Sequence, residues 1–456
     1  MSRHLFFTKR KIILRRVVQL NPERVFTHSK KRSAMTSTAS LRIFHFSETE
    51  PTPLLKDFET FCQYLEQKSF ALGKATGLIP HKPLNELNAL LTQPSTEHTS
   101  HTPQHYHPLL HLFYHLALAG KLFVKTPDKK SQMRMQATPR LASYRALTHA
   151  EKYFFLLETL WMDCPLADFS GRDSYWITLS LHSFLEKLCG LKPNVPCRSR
   201  KDEKLSHIAF EIPPAALHSF SFFGWYALTR DEARSRSFNM KSIFWLESLT
   251  PTPLGIAFAQ ILLRERPLEE WNLPHLRSEG LLPTTPEVRA LAATNFVELF
   301  RPLCAPGELQ KALPREFSQK MRGNFMFKVS VAPKVWRVIA LSSKHTLDDL
   351  HKMIQRAFQF DNDHLYAFYM DNKWYSENRF EDPRSSEGVA ADEVELGELG
   401  LAANQCFLYH FDFGDDWRFE VQVLEIKTKE KLLKQPKIIE QHGKSPEQYP
   451  NAEEEW

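Results

Sequence analysis

Apolar positions in the first part of the chain recur every three to four residues, the spacing of one helical face. Leu54, Phe58, Phe61 and Leu65 predict a helix over 54–72, and Leu84, Leu87, Leu90 and Leu91 a short second one. Leu109 to Leu118 predicts a third, with Gly120 at the stop position. Leu122-Phe123-Val124 and 133–137 then read as two strands joined through Pro127-Asp128-Lys129-Lys130. Thr148, with Glu151 three residues later, predicts a capping box ahead of a helix through Tyr153, Phe154, Leu157, Leu160 and Trp161. Further on, 215–228 reads as helix, 242–246 as strand, 256–263 as helix, and 287–300 as short helices in a proline-rich stretch. From Phe325 the period falls to two. Phe327, Val329 and Val331 alternate, and 336–341 follows as a second strand. Leu347, Leu350, Ile354, Ala357 and Phe358 define the buried face of one helix, and 365–370 and Trp374-Tyr375 read as strands.

The clearest pattern closes the chain, over 407–423. A three-residue loop Gly414-Asp415-Asp416 sets Phe413 opposite Trp417, Phe411 opposite Phe419, Tyr409 opposite Val421 and Phe407 opposite Val423. One face of that ribbon is apolar. On the other, Asp412 meets Arg418 and His410 meets Glu420. The order from Phe325 is β-β-α-β-β-(short helix)-β-β, so the expected class is α+β, with a β-grasp-like mixed sheet and one packed helix at the C-terminal end. The helices before it, with their two-stranded ribbon, read as mainly helical, winged-helix-like units. Thr138-Pro139-Arg140-Leu141 and Thr252-Pro253-Leu254-Gly255 suggest a diverged internal repeat. The expected divisions are a basic, disordered leader at 1–45, a helical winged-helix-like region at 46–170, a second mainly helical region at 171–320, and the α+β domain at 325–450.

Charge changes this picture at one end. Residues 1–40 hold ten Lys/Arg against Glu23, a net +9, which leaves −3 of the total +6 for the rest. Whole-chain charge is therefore no argument for nucleic acid. The leader reads as an arm for an anionic partner, an organelle-targeting segment, or an over-long start ahead of Met35. Six cysteines without a C-x-x-C pair fit a reducing, cytoplasmic setting, and no apolar run reaches the length of a membrane span.

Several separated motifs then agree in order. They are Trp336-Arg337, Leu347, Leu350-His351, Ile354-Gln355, Phe358, Asp363-His364-Leu365 with Phe368, and Tyr409-x-Phe411-Asp412-Phe413-Gly414-Asp415-x-Trp417. Together they resemble the plasmid pRiA4b open-reading-frame-three family of insertion-element passenger proteins, over residues 325–450. The tail 443–450 is similar too, but the family's Gly-Gly turn and final helix are missing. The resemblance implies a fold and a mobile-element setting, with no established activity.

Candidate chemistry follows from both sources. Lys121, Lys125, Lys129, Lys130, Arg134, Arg140 and Arg145 surround the proposed wing, and such a cluster suits a phosphate backbone; a solvated charged hairpin is the alternative. His351, Asp361, Asp363, His364, Asp412, Asp415 and Asp416 are ligand types for a divalent metal, although turn and ion-pair roles are available to each. Trp336-Arg337 reads either as a phosphate-binding pair or as a core Trp with a solvated Arg, and the second is preferred. His98, His101, His105, His107, His111 and His115 form a dense run in which His111 and His115 share a helix face. No Gly-rich phosphate loop or nucleophile elbow is present. The expectation is a non-catalytic protein without cofactor that binds nucleic acid or a protein partner. The alternative is a metal-dependent enzyme built on the C-terminal His/Asp group.

Overall fold

The computed structural model of the protein describes residues 42–449, apart from 75, 96–99, 129–131, 171–173, 199–213, 232–245, 279–295, 314–320, 377, 386–388 and 402. Within it, buried apolar side chains form two main cores, one drawn from 46–309 and one from 325–423. The class is α+β, as the periodicities require.

The first core is mainly helical. Helix α1 (Leu54–Gln67), α2 (His81–Leu90) and α3 (Pro108–Ala119) lead into a hairpin of β1 (Phe123–Pro127) and β2 (Met133–Ala137). Helices α4 (Pro139–Arg145) and α5 (His149–Glu158) follow, and α5 opens on the expected capping box of Thr148 and Glu151. Next come α6 (Leu166–Ser170), α7 (Ser174–Cys189) and β3 (Cys197–Arg198). Helix α8 (Pro214–Phe222), β4 (Tyr226–Arg230), β5 (Leu246–Pro251) and α9 (Pro253–Glu265) complete the main elements of this core. Helix therefore stops short of 228, because Gly224 turns left-handed at φ 78° and releases the chain into β4.

One backbone plan occurs twice here. After α3, Lys121 has φ 54°, and Leu122 N donates to Ala117 O at 3.0 Å. After α8, Gly224 takes the same place, and Trp225 N donates to Phe220 O at 3.1 Å. Each hairpin then returns to a threonine that caps the next helix. Thr138 Oγ1 donates to Lys121 O at 2.7 Å, and Thr252 Oγ1 donates to Gly224 O at 2.7 Å. Both threonine N–H groups close on the hairpin, on Leu122 O and Trp225 O, at 2.9 Å. The Thr-Pro signal thus marks a threonine that ties a helix start to a hairpin base and satisfies otherwise orphaned groups.

The second core is a sheet with one long helix. Short helices α10 (Leu268–Trp271) and α11 (Leu273–Ser278) still belong to the helical part, and the sheet begins with β6 (Asn324–Ala332) and β7 (Val335–Ser342), followed by α12 (Leu347–Phe358). Strands β8 (Tyr366–Tyr369), β9 (Arg379–Glu381), β10 (Val389–Ala390), β11 (Cys406–Phe411), β12 (Trp417–Lys427) and β13 (Lys437–His442) complete it. Sheet order is β10-β9-β8-β11-β12-β6-β7-β13, antiparallel except for β10 on β9. Trp374-Tyr375 is a loop rather than a strand, with Tyr375 left-handed at φ 59°, and β9 supplies the expected pairing. Helix α12 buries Leu347, Leu350, Ile354, Ala357 and Phe358 against one sheet face, as its pattern predicts, and starts on a capping box of Thr346 and Asp349.

Two expectations are corrected. The closing hairpin pairs Phe411 with Trp417, His410 with Arg418, Tyr409 with Phe419 and Phe407 with Val421. The turn spans 412–416, held by Asp416 N on Asp412 O at 2.8 Å and by Asp412 Oδ1 accepting from Gly414 N at 2.9 Å. A slip of two residues keeps every paired side chain on its face, so the apolar side is preserved. The ion matching is not: Asp416, rather than Asp412 or Glu420, approaches Arg418 and His410. Phe413 leaves the apolar face. It is 49% exposed and edge-on to His410, while Trp417 packs on Phe360 across the sheet.

The second correction concerns Trp336-Arg337, whose faces are reversed. Arg337 is buried, and Trp336 lies on the outer face, stacked with His442. Arg337 Nε donates to Ala357 O at the end of α12 (2.9 Å), Nη1 to Trp336 O and His442 O (both 2.9 Å), and Nη2 to Ser445 Oγ (2.7 Å). Its guanidinium lies 4.6 Å from the Phe358 ring centroid. Gly443 makes the close approach possible: at φ 76° it passes so near Lys334 that a Cβ would fall 2.3 Å from the Lys334 carbonyl oxygen. Replacing Arg337 by Met leaves these acceptors without their donor and is expected to lower the unfolding free energy by about 3 kcal/mol. The urea midpoint measures this, and an unshifted midpoint contradicts the clamp.

Candidate nucleic-acid interface

The basic cluster expected around a wing gathers at the β1–β2 hairpin and the helix after it, but its arginines are committed internally. Arg134 Nε donates to Asp128 Oδ2 at 2.8 Å, and its Nη1 donates to Ser69 Oγ at 2.8 Å. Arg140 Nε donates to Gly120 O at 3.0 Å, with its guanidinium 5.4 Å from the Phe155 ring centroid. Arg145 bridges Glu66 at 2.6 Å and Glu59 at 2.9 Å, and these carboxylates raise its pKa further. Lys125 lies over the Tyr114 ring at 5.4 Å, and Lys121 occupies the left-handed turn before β1. Lys129 and Lys130 lie outside the described residues. Helix α3, in the place of a recognition helix, carries no Lys or Arg, and its residues 110–117 are buried. A helix enclosed in this way offers no face to a DNA groove.

The histidine run is mostly packing. His111 and His115 share a face of α3, as their spacing predicts, with ring centroids 4.6 Å apart. Burial pulls His111 down to about 4 and His115 well below its ordinary value, so both are neutral at pH 7. His98 lies outside the described residues. Among the described residues, no three His, Cys, Asp or Glu side chains are arranged to hold a metal ion.

In the C-terminal sheet, the family-motif residues divide between core and rim. His351 is in the core. Its Nδ1 meets Tyr409 Oη at 2.7 Å, its Nε2 meets Asn362 Oδ1 at 2.8 Å, and its ring stacks on Tyr366 at 3.7 Å. Gln355 donates to the same Tyr409 hydroxyl at 2.8 Å. With both nitrogens engaged, His351 is a structural histidine, and burial pulls its pKa down to about 4. At the rim, His364 Nε2 lies 3.4 Å from Asp412 and 3.7 Å from Asp363. Tyr449 donates to Asp363 at 2.6 Å, and this hydrogen bond lowers the Asp363 pKa. Gln448 holds the Asp361 backbone by accepting from its N–H and donating to its carbonyl. The structure therefore gathers Asp363, His364 and Asp412 into a clasp between the hairpin turn, the entry to β8 and the tail. Gly414 and Asp415 form the turn itself, Asp416 faces the other side, and Trp417 belongs to the core.

A more accessible positive surface lies elsewhere. The connection from β12 to β13 carries Lys427, Lys429, Lys431, Lys434 and Lys437, with Glu430 as the one acid among them. Lys427 pairs with Glu430 at 3.3 Å. Lys429, Lys431, Lys434 and Lys437 are exposed and have no ion-pair partner among the described residues. Asn324 anchors the segment, donating to Lys431 O and accepting from Leu433 N. The signal was in the sequence as five lysines in eleven residues.

Comparison with known proteins bears on this part of the chain. Residues 327–449 match the family model of plasmid pRiA4b ORF-3-like proteins. The chain is also similar to the crystal structure of a protein of unknown function from Methanosarcina mazei Go1, at 22% identity over 28% of this chain and 72% of that one, with a TM-score of 0.24. No curated protein matches it. Among the described residues no helix is long and apolar enough to cross a membrane.

The buried histidines make stability depend on pH. His351, His111 and His218 have folded-state pKa values lowered from 6.5 to about 4. Between those values the unfolded chain binds more protons, so their contribution is complete above pH 6.5 and is lost as pH falls toward 4. Urea titrations are expected to show stability declining through this window. His351→Gln should give a shallower decline, and an equally steep one contradicts the assignment.

Proposed function

We propose that the protein is a non-catalytic interaction protein that binds nucleic acid, in the mobile-element setting that the family resemblance implies. The observation carrying this reading is the set of four exposed lysines without an ion-pair partner among the described residues, three between β12 and β13 and Lys437 at the start of β13. Phosphate contacts by such lysines release counterions, which makes binding steeply dependent on salt. Lys121, Lys125, Lys129 and Lys130 act as a second contact on the wing, while Arg134, Arg140 and Arg145 serve the fold. Asp363, His364 and Asp412 are an electrostatic clasp rather than a metal centre, because the imidazole already answers both carboxylates.

Fluorescence anisotropy of the full chain on a labelled duplex, repeated across a salt series, tests the reading. Changing Lys429, Lys431, Lys434 and Lys437 together to Ala is expected to weaken binding and to flatten the log–log salt slope by about 3 to 4. Unchanged affinity and slope would exclude this segment as the contact.

A further inference from the structure

The opposite end of β12 has a different chemistry. Tyr375 is 61% exposed and Phe413 is 49% exposed, and both rings stand over His410, at 5.8 and 4.8 Å between centroids. Trp374 closes the same group at 5.7 Å from His410. The surface already holds one guanidinium. Arg418 lies 5.0 Å from the Trp374 ring centroid and 5.7 Å from that of Tyr375. It donates to Asp416 at 2.8 Å and to the Tyr375 hydroxyl at 2.9 Å.

A second cation has room and partners beside it. Asp415, two residues beyond Phe413, is exposed, and among the described residues no ion pair engages its carboxylate. No cation lies over the Phe413 ring among the described residues. His410 supplies an independent sign of a missing hydrogen-bonding group. Its side chain is 1% exposed, and its Nδ1 has no hydrogen-bond partner among the described residues. Its Nε2 contacts the Asp416 carboxylate at 2.8 Å, which leaves Nδ1 as the acceptor without a partner among the described residues. The surface thus combines ring faces, carboxylates and an imidazole able to accept. That combination suits a donor-rich cation with no acceptor, which is a guanidinium. The carboxylates of Asp415 and Asp416, both exposed in the adjoining turn, disfavour phosphate there.

We propose that the turn 412–416, with the loop carrying Trp374 and Tyr375, binds an arginine side chain of a partner polypeptide. The arginine stacks on Phe413 and pairs with Asp415. The site stands apart from the lysine segment, at the other end of the eleven-residue strand β12.

Anisotropy of a labelled octa-arginine peptide with the full chain, at about 150 mM salt to screen diffuse attraction, provides the test. Saturable binding is expected, weakened about threefold to tenfold by Phe413→Ala or Tyr375→Ala and also weakened by Asp415→Asn. The four-lysine variant should bind the peptide as wild type does, so this result is independent of nucleic-acid binding. Wild-type affinity in Phe413→Ala and Tyr375→Ala overturns the proposal. Equal affinity for octa-lysine also overturns it, as does loss of oligothymidylate binding in those two variants without loss of peptide binding.

Discussion

The C-terminal domain depends on one buried cation. Arg337 sits where three segments meet: the start of strand β7, the last turn of α12, and the chain leaving β13. A helix C-terminus leaves carbonyls without partners, and a chain that departs from an edge strand does the same. A guanidinium has five donors in a rigid fork and can serve both at once, which neither lysine nor water can do with that geometry. Stacking on Phe358 shields its flat faces. The tail fixed in this way carries Gln448 and Tyr449 back to Asp361 and Asp363. The rim clasp of Asp363, His364 and Asp412 therefore adjoins a tail that Arg337 holds at the end of α12. This gives Arg337 a physical role in holding the tail.

A comparable economy governs the helical part. Two threonines, Thr138 and Thr252, cap a helix while closing a hairpin on the residue pair that ends the preceding helix. The same hydrogen bonds recur with different side chains around them: Lys121 and Leu122 in one case, Gly224 and Trp225 in the other. Arg134 on β2 pairs with Asp128, and Arg145 at the end of α4 pairs with Glu59 and Glu66, so much of this basic cluster's formal charge is compensated within the chain.

What could be read from the sequence divides along the range of the interactions. The capping box at Thr148 is local, three residues wide, and forms as expected. The buried stripe of α12 depends only on helical period and is also as expected. The closing hairpin was legible in its faces but not its register. Strand period fixes sides modulo two, whereas the turn was decided by the Asp412 carboxylate gathering two backbone N–H groups. The reversal of Trp336 and Arg337 was not legible, since the acceptors that draw the guanidinium inside are twenty residues and over a hundred residues away. Neutralisation of Arg145 by Glu59 and Glu66 is equally nonlocal. The lysine segment, by contrast, needed only a count, because exposed charges keep their character whatever the fold around them.

The central functional claim is that nucleic acid meets the segment between β12 and β13. Lysine acetylation, quantified by mass spectrometry with and without bound nucleic acid, addresses it residue by residue. The account expects Lys429, Lys431, Lys434 and Lys437 to be protected together in the complex. Full reactivity at all four, with protection confined to Lys121 and Lys125, would contradict it and return the contact to the wing.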